Sequence, residues 1–220
     1  MIKSFSFSQE EILQNILQLY IPDGHFDVDP TYSKGQFYAD GTVPQPVLKY
    51  DISPQVDGVL QADCRHLPLE EASVGSIMFD PPFLATTGPS LLRYDDNNKI
   101  NKRFGVYSSE RALHRMYYES IREFWRILRP GGILIFKCQD KVSSGKQYMS
   151  HVYVMNMAEQ IGFYAIDLFV LLSKNRLVAH WQKKQKHARK YHSYFWVFQK
   201  PQNEAKMSWR KIQEIMEVAE

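Results

Sequence analysis

Ser76-Ile77-Met78-Phe79-Asp80-Pro81-Pro82-Phe83 starts as a short apolar run and ends in an acid, two prolines and an aromatic ring. The run follows Gly75 and stops at Pro81, which predicts a buried strand, because proline cannot donate to a sheet ladder. Pro82 bars Pro81 from helical backbone, so the chain beyond Asp80 stays extended and stiff. A carboxylate, a carbonyl of fixed direction and an aromatic face then lie at a strand's carboxyl end, where open α/β sheets bind ligands. The bland alternative is a strand followed by a Pro-Pro turn, and these residues alone do not separate the two.

Upstream, three more short strands are expected, each ending in an acid. Phe26 and Val28 alternate with acids and stop at Asp29-Pro30; Val47–Asp51 and Gly58–Cys64 follow, with Asp51 and Asp63 near their ends. Taken singly, such acids are as well explained as helix caps or turn residues. Four in succession, at Asp29, Asp51, Asp63 and Asp80, are hard to explain as chance. In Rossmann-like sites an acid at the end of the second strand accepts hydrogen bonds from ribose hydroxyls, the role Asp51 would take. Further upstream, Ser8 and Glu11 fit a capping box ahead of an apolar helical stripe (Ile12, Leu13, Ile16, Leu17, Leu19, Tyr20) that ends before Pro22.

Downstream, residues 84–109 form a long polar stretch that could close over a substrate, bringing Arg93, Lys102 and Arg103 near phosphates, or be a plain loop. Ser109-Glu110 opens a helix with Leu113, Met116, Tyr117, Ile121, Phe124 and Leu128 at helical spacing, a core stripe. The arginines of its other face read as a solvated surface, with a nucleic-acid contact as the alternative. Arg129-Pro130-Gly131-Gly132 is expected to stop that helix, and Ile133–Cys138 to be a fifth strand with Lys137 at its carboxyl end. A helix from Tyr148 to Gln160 follows, then strands at Asp167–Leu172 and His192–Phe198. Residues 201–220 read as a helical tail after a single domain spanning 1–200.

Asp80-Pro81-Pro82-Phe83 resembles the signature of the amino-group methyltransferases, which use S-adenosyl-L-methionine to methylate an exocyclic nitrogen of a base in DNA or RNA. Phe124 to Phe136 resembles the helix, Pro-Gly-Gly turn and fifth strand of class I methyltransferases. His192-x-Tyr194-x-x-x-Phe198, followed by Lys200, resembles the closing strand of the DNA enzymes. The resemblance implies a Rossmann-like α/β fold: a seven-stranded, mostly parallel sheet with an antiparallel last strand and helices on both faces. It implies that Asp80 and the Pro81 carbonyl hold the amine, with Pro82 stiffening the turn and Phe83 stacking on the base. Asp29, Pro30 and Gly35 would cradle the methionine part of the cofactor, Asp51 the ribose, and Asp63 with Cys64 the adenine. The chain departs from the pattern in lacking the usual Gly-x-Gly loop and the long helix after it, since Gly41, Pro44 and Pro46 interrupt any period. N6-adenine and N4-cytosine DNA enzymes are the most similar branch. RNA of the transfer-RNA type, or a non-catalytic nucleic-acid-binding protein on a decayed fold, are the alternatives.

Charge is divided along the chain. Residues 1–100 carry 6 Lys+Arg against 14 Asp+Glu, and residues 101–200 carry 18 against 6, so a net charge of +3 conceals a basic second half. Such asymmetry points to a polyanion on one face. Lys174, Arg176, Lys183, Lys184, Lys186, Arg189 and Lys190 fall between the last two strands without one acid, either as a solvated basic loop or as a phosphate grip. Lys102, Arg103 and Lys137 are further candidates for the nucleic-acid contact, and scant chain for sequence recognition suggests a partner subunit. No membrane span is expected, Met1–Glu11 has no secretion-signal core, and Cys64 and Cys138 make neither a metal spacing nor a disulfide framework, which suggests a reducing cytoplasm and no metal.

Overall fold

The structure, a computed structural model, describes residues 1–83, 85, 107–143, 145–174 and 187–202. Most of the segment 84–109 and nearly all of the expected helical tail lie outside the described residues. The chain runs β1 (Phe5–Ser6), α1 (Gln9–Tyr20), β2 (Val28–Asp29), a 3-10 turn (Gln36–Tyr38), β3 (Leu48–Asp51), β4 (Leu60–Gln61) and β5 (Val74–Phe79). It continues through α2 (Glu110–Ile127), β6 (Leu128–Cys138), β7 (Lys141–Ser143), β8 (Lys146–Tyr148), α3 (Ser150–Ile161), β9 (Tyr164–Leu172) and β10 (His192–Gln199).

Among the described residues, eight strands form one sheet in the order β1-β9-β10-β6-β5-β2-β3-β4. All pairings are parallel except those of β10, which runs antiparallel to β6 and β9. The seven expected strands are present. The eighth is a correction: Phe5 pairs with Val170 and Ser6 with Leu171, adding a parallel edge. β4 is shorter than the expected 58–64, and β7 and β8 form a separate hairpin. The sheet grows outward from β2 to β4, then returns to place β5 on the other side of β2. That reversal opens a crevice at the carboxyl ends of β2 and β5, between Asp29-Pro30 and Asp80.

Alternation along the central strands divides the core into two layers. Ile77, Phe79, Leu134, Phe136 and Phe198 pack with Leu113 and Phe124 of α2 and Val154 and Ala158 of α3. Met78, Ile133, Ile135, Phe195 and Val197 cluster instead with Ile12, Leu13 and Ile16 of α1. Each fully buried side chain of this size contributes about 1.5–3 kcal/mol, so both helical layers are held firmly to the sheet. At the start of α1, the Ser8 hydroxyl accepts the Glu11 amide at 3.1 Å, but the return half of the box is rearranged: the Glu11 carboxylate takes the Ser6 hydroxyl and Glu10 takes that of Ser8. At its far end, Tyr20 donates to Asp167 of β9 at 2.6 Å.

Ser109 caps α2, its hydroxyl accepting the Ala112 amide at 3.1 Å. The helix ends at Ile127, with Leu128 already extended (φ −70°, ψ 134°). Arg129–Gly132 is therefore not a separate stop but a bulged entry into β6, where pairing jumps from Val74–Leu128 to Ser76–Ile133. Gly132 permits the bulge, because a Cβ there would lie 2.8 Å from the Arg129 carbonyl oxygen. Lys200 closes the helix end, its ammonium donating to the carbonyls of Trp125 and Leu128 at 2.7 Å each. No helix among the described residues is long and apolar enough to cross a membrane.

Candidate active site

The turn after β5 is tied down on three sides. The Asp80 amide donates to the Thr31 hydroxyl at 3.1 Å, linking the ends of β5 and β2. Tyr117, inside the apolar stripe of α2, donates to the Pro82 carbonyl at 2.6 Å, and Lys141 donates to the Phe83 carbonyl. Lys141 is itself held by Glu110 at 2.8 Å, both side chains 8% exposed. Burial pushes the Lys141 ammonium below its ordinary range although Glu110 pulls the other way. The prolines remove the donors that would otherwise need partners, while Tyr117 and Lys141 fix the direction of the carbonyls.

The loop after β2 obtains its shape from carboxylates rather than glycines. Asp29 accepts the Thr31 amide at 2.9 Å and the Tyr38 hydroxyl at 2.8 Å, and Asp51 accepts the amides of Ser33 and Ser53 at 2.8 Å. Ser33 adopts a left-handed backbone (φ 53°), for which those bonds compensate. Gly35 (φ 65°) has the Tyr32 ring packed where a Cβ would stand, 2.3 Å from its hydroxyl oxygen. Tyr32 in turn stacks on Tyr38 at 5.5 Å. This is the physical reason the loop dispenses with Gly-x-Gly: two strand-end acids and a tyrosine pair do the folding. Burial pushes the Asp29 carboxyl up to about 7, against the pull of its two donors and with the charges of Asp80 and Asp51 adding to the rise.

Pro30, Ser33, Asp51, Asp63, Asp80 and Pro82 face one cleft, completed by Thr31, Ile52, Cys64, Arg65, Phe79, Pro81, Tyr107 and Met116. Asp63 is gripped by the Arg65 guanidinium (2.6 Å), which holds its carboxyl below the usual range, and Arg65 reaches on to Glu119 at 3.3 Å. The Cys64 thiol contacts the Ser120 hydroxyl at 3.3 Å, and burial pushes it up to about 11, leaving it an inert thiol.

Of the residues singled out from sequence, Pro30, Asp51, Asp63, Cys64, Asp80, Pro81 and Pro82 line this cleft. Asp29 does not: it lies beneath the loop, 2% exposed, and supports it from below. Gly35 stands behind Tyr32. Phe83 lies on the other side of the turn, where its ring approaches the Lys137 ammonium at 5.8 Å. Lys137 differs from the expectation of an outward phosphate contact. Its side chain is 12% exposed, donates to Gln9 at 2.8 Å and pairs with Asp80 at 3.4 Å, because position 137 continues the α1-facing alternation of Ile133 and Ile135. Lys174 follows β9 with its ammonium over the Phe7 ring, and Arg189 and Lys190 precede β10. Lys102, Arg103, Arg176, Lys183, Lys184 and Lys186 lie outside the described residues. Tyr117, Lys141, Tyr38 and Arg65 were not singled out from sequence. Tyr117 sits in an apolar stripe, and nothing local to the other three announces their long-range partners.

No family model matches the chain, nor does any curated protein. Solved structures do resemble it. A candidate DNA modification methylase from Thermus thermophilus, solved with S-adenosyl-L-methionine, aligns over 70% of this chain and 59% of its own at 18% identity, with a TM-score of 0.44. The chain thus spans less than two thirds of that protein. A candidate methyltransferase from Haloferax volcanii, in complex with the Trm112 activator, aligns over 84% and 86% at 14% identity and a TM-score of 0.50. The cyclase SpnF aligns over 88% and 82% at 14% identity and 0.52. The fold is therefore the Rossmann-like one of class I methyltransferases, and a cyclase on the same scaffold leaves the reaction to be argued from the site.

Proposed function

We propose that the chain transfers a methyl group from S-adenosyl-L-methionine to an exocyclic amino group of a nucleobase, with adenine N6 or cytosine N4 of DNA as the preferred target. The observation that carries this reading is the shared cleft: the Asp80-Pro81-Pro82 turn faces the same volume as Pro30, Asp51 and Asp63. Its acids suit a ligand with cationic sulfonium and amino groups, ribose hydroxyls and an adenine amine. Asp63 and Cys64 would take the adenine, and the loop from Pro30 to Gly35 the methionine part, with Asp29 bracing it.

When bound, the cofactor supplies an electrophilic methyl carbon. Asp80 and the Pro81 carbonyl accept the two N–H bonds of the target amine, localising a lone pair otherwise spread into the ring and aiming it across the cleft. Phe83 stacks on the base, which must leave its helix to arrive there. Tyr117 and Lys141 keep the turn from relaxing as charge develops.

Lys174, Arg189 and Lys190 stand at the β9–β10 end of the same rim as Asp80 and would meet phosphates, together with the cations of 102–103 and 176–186. RNA of the transfer-RNA type is the second reading, since an exocyclic amine of an RNA base offers Asp80 and the Pro81 carbonyl the same two N–H bonds. Tyr118, Met149, Val152 and Tyr153 are exposed apolar residues of α2 and of the start of α3, a surface that suits a partner subunit. Two free cysteines fit a cytoplasmic setting. Tritiated methyl incorporation into DNA and transfer RNA tests the reading. Asp80→Ala should abolish transfer while calorimetry finds cofactor affinity kept; undiminished turnover removes Asp80 from the mechanism.

A further inference from the structure

Lys137 has the surroundings of a bound cation rather than of a surface lysine. Its ammonium lies 4.8 Å from the ring centre of Phe37, 5.5 Å from that of Phe195 and 5.8 Å from that of Phe83. It donates to the amide oxygen of Gln9 at 2.8 Å and lies 3.4 Å from Oδ2 of Asp80. Three ring faces and two oxygens replace most of its water, an arrangement that favours a cation where it stands and holds it there. The five contacts come from four places in the fold: the first residue of α1, the 3-10 turn, the turn after β5 and the face of β10. A lysine meant for phosphate would gain nothing from such an enclosure.

Resting on the methyl-transfer reading above, we propose that Lys137 is the positioning residue of Asp80. The ammonium orients Oδ2, and with it the plane in which the carboxylate meets the target amine. The Gln9 bond is the tighter of the two polar contacts. The arriving amine therefore draws the carboxylate towards itself against a yielding 3.4 Å partner, while Gln9 and the rings keep the ammonium from following. Through Gln9, α1 takes part in aligning a group on the far strand.

The test is kinetic. Lys137→Met keeps the unbranched stem of the side chain and removes the ammonium. It should lower kcat roughly 100-fold, the scale of a misplaced reacting group, with the KM for nucleic acid, its salt dependence and the cofactor Kd unchanged. Ethylammonium or propylammonium should restore part of the rate to Lys137→Ala, and tetramethylammonium, which cannot donate a hydrogen bond, should not. An unchanged kcat overturns the proposal, and so does a raised KM with a flatter salt slope, which would make Lys137 a phosphate contact. If the parent protein methylates no nucleic acid, it is the function reading that fails, and the pairing is judged by melting. Lys137→Met, Asp80→Asn and the double variant should then show non-additive shifts, and additive ones overturn the pairing.

Discussion

Asp29→Asn replaces a buried acid by its neutral isostere, and the consequence can be worked out from the surroundings. Burial raises the Asp29 carboxyl from 3.8 to about 7. The folded protein thus keeps a proton that the unfolded chain gives up, so the stability this group contributes is complete below about pH 4 and is lost as pH rises through about 7. About three decades of proton affinity at ~1.4 kcal/mol each set a ceiling of about 4 kcal/mol. For a domain of this size that is a shift of roughly 10 °C. Asparagine still accepts the Thr31 amide, and its NH₂ can donate to the Tyr38 oxygen, so the loop keeps its shape. Melting of parent and variant, followed by circular dichroism from about pH 4.5 to about 8.5, should give the smallest gap at the acid end. The gap should widen through about pH 7 in favour of the variant and level off above it. Parallel curves would refute the claim that the fold holds Asp29 protonated.

Tyr117→Phe keeps the ring against Phe136 but strips the Pro82 carbonyl of its donor. A loss of about 1 kcal/mol is expected for the half-buried acceptor, with slower methyl transfer at undiminished cofactor affinity; urea unfolding and a single-turnover assay measure the two. Lys141→Met leaves the Glu110 carboxylate buried without its counter-charge and should cost about 3–5 kcal/mol. Adding Glu110→Gln should recover much of that loss in urea unfolding, and a double variant no more stable than the single one would argue against the ion pair.

The strands that form the cleft were legible because their signal is local. An apolar run closed by Asp-Pro-Pro cannot continue in the sheet, and Ser109-Glu110 ahead of an apolar stripe can hardly be other than a helix start. What escaped was set by tertiary structure. Phe5–Ser6 is too short to show alternation, and the hairpin of β7 and β8 is polar throughout, Val142 and Tyr148 apart. Arg126 reads as part of a solvated helix face, yet it pairs with Glu123 and donates to the carbonyls of Leu67 and Leu69. Asp29 and Asp51 both read as ligands for a cofactor; their bonds to Thr31, Tyr38, Ser33 and Ser53 give them the additional task of folding the loop. Pattern gives the position of an acid, and only packing gives its direction.

β10 occupies the middle of the sheet although it comes last among the described strands, and β9 and β1 reach the other strands only through it. On a ribosome, residues up to 172 therefore emerge with two strands, β1 and β9, that can pair with each other but not with the rest of the sheet. Until 192–199 follow, Phe169 and the side of α1 destined for Phe195 and Val197 face water. Closure by such distant pairing is slow and leaves open edges that chaperones bind. A translational pause between β9 and β10 would lengthen that exposed interval and should lower the yield of native protein.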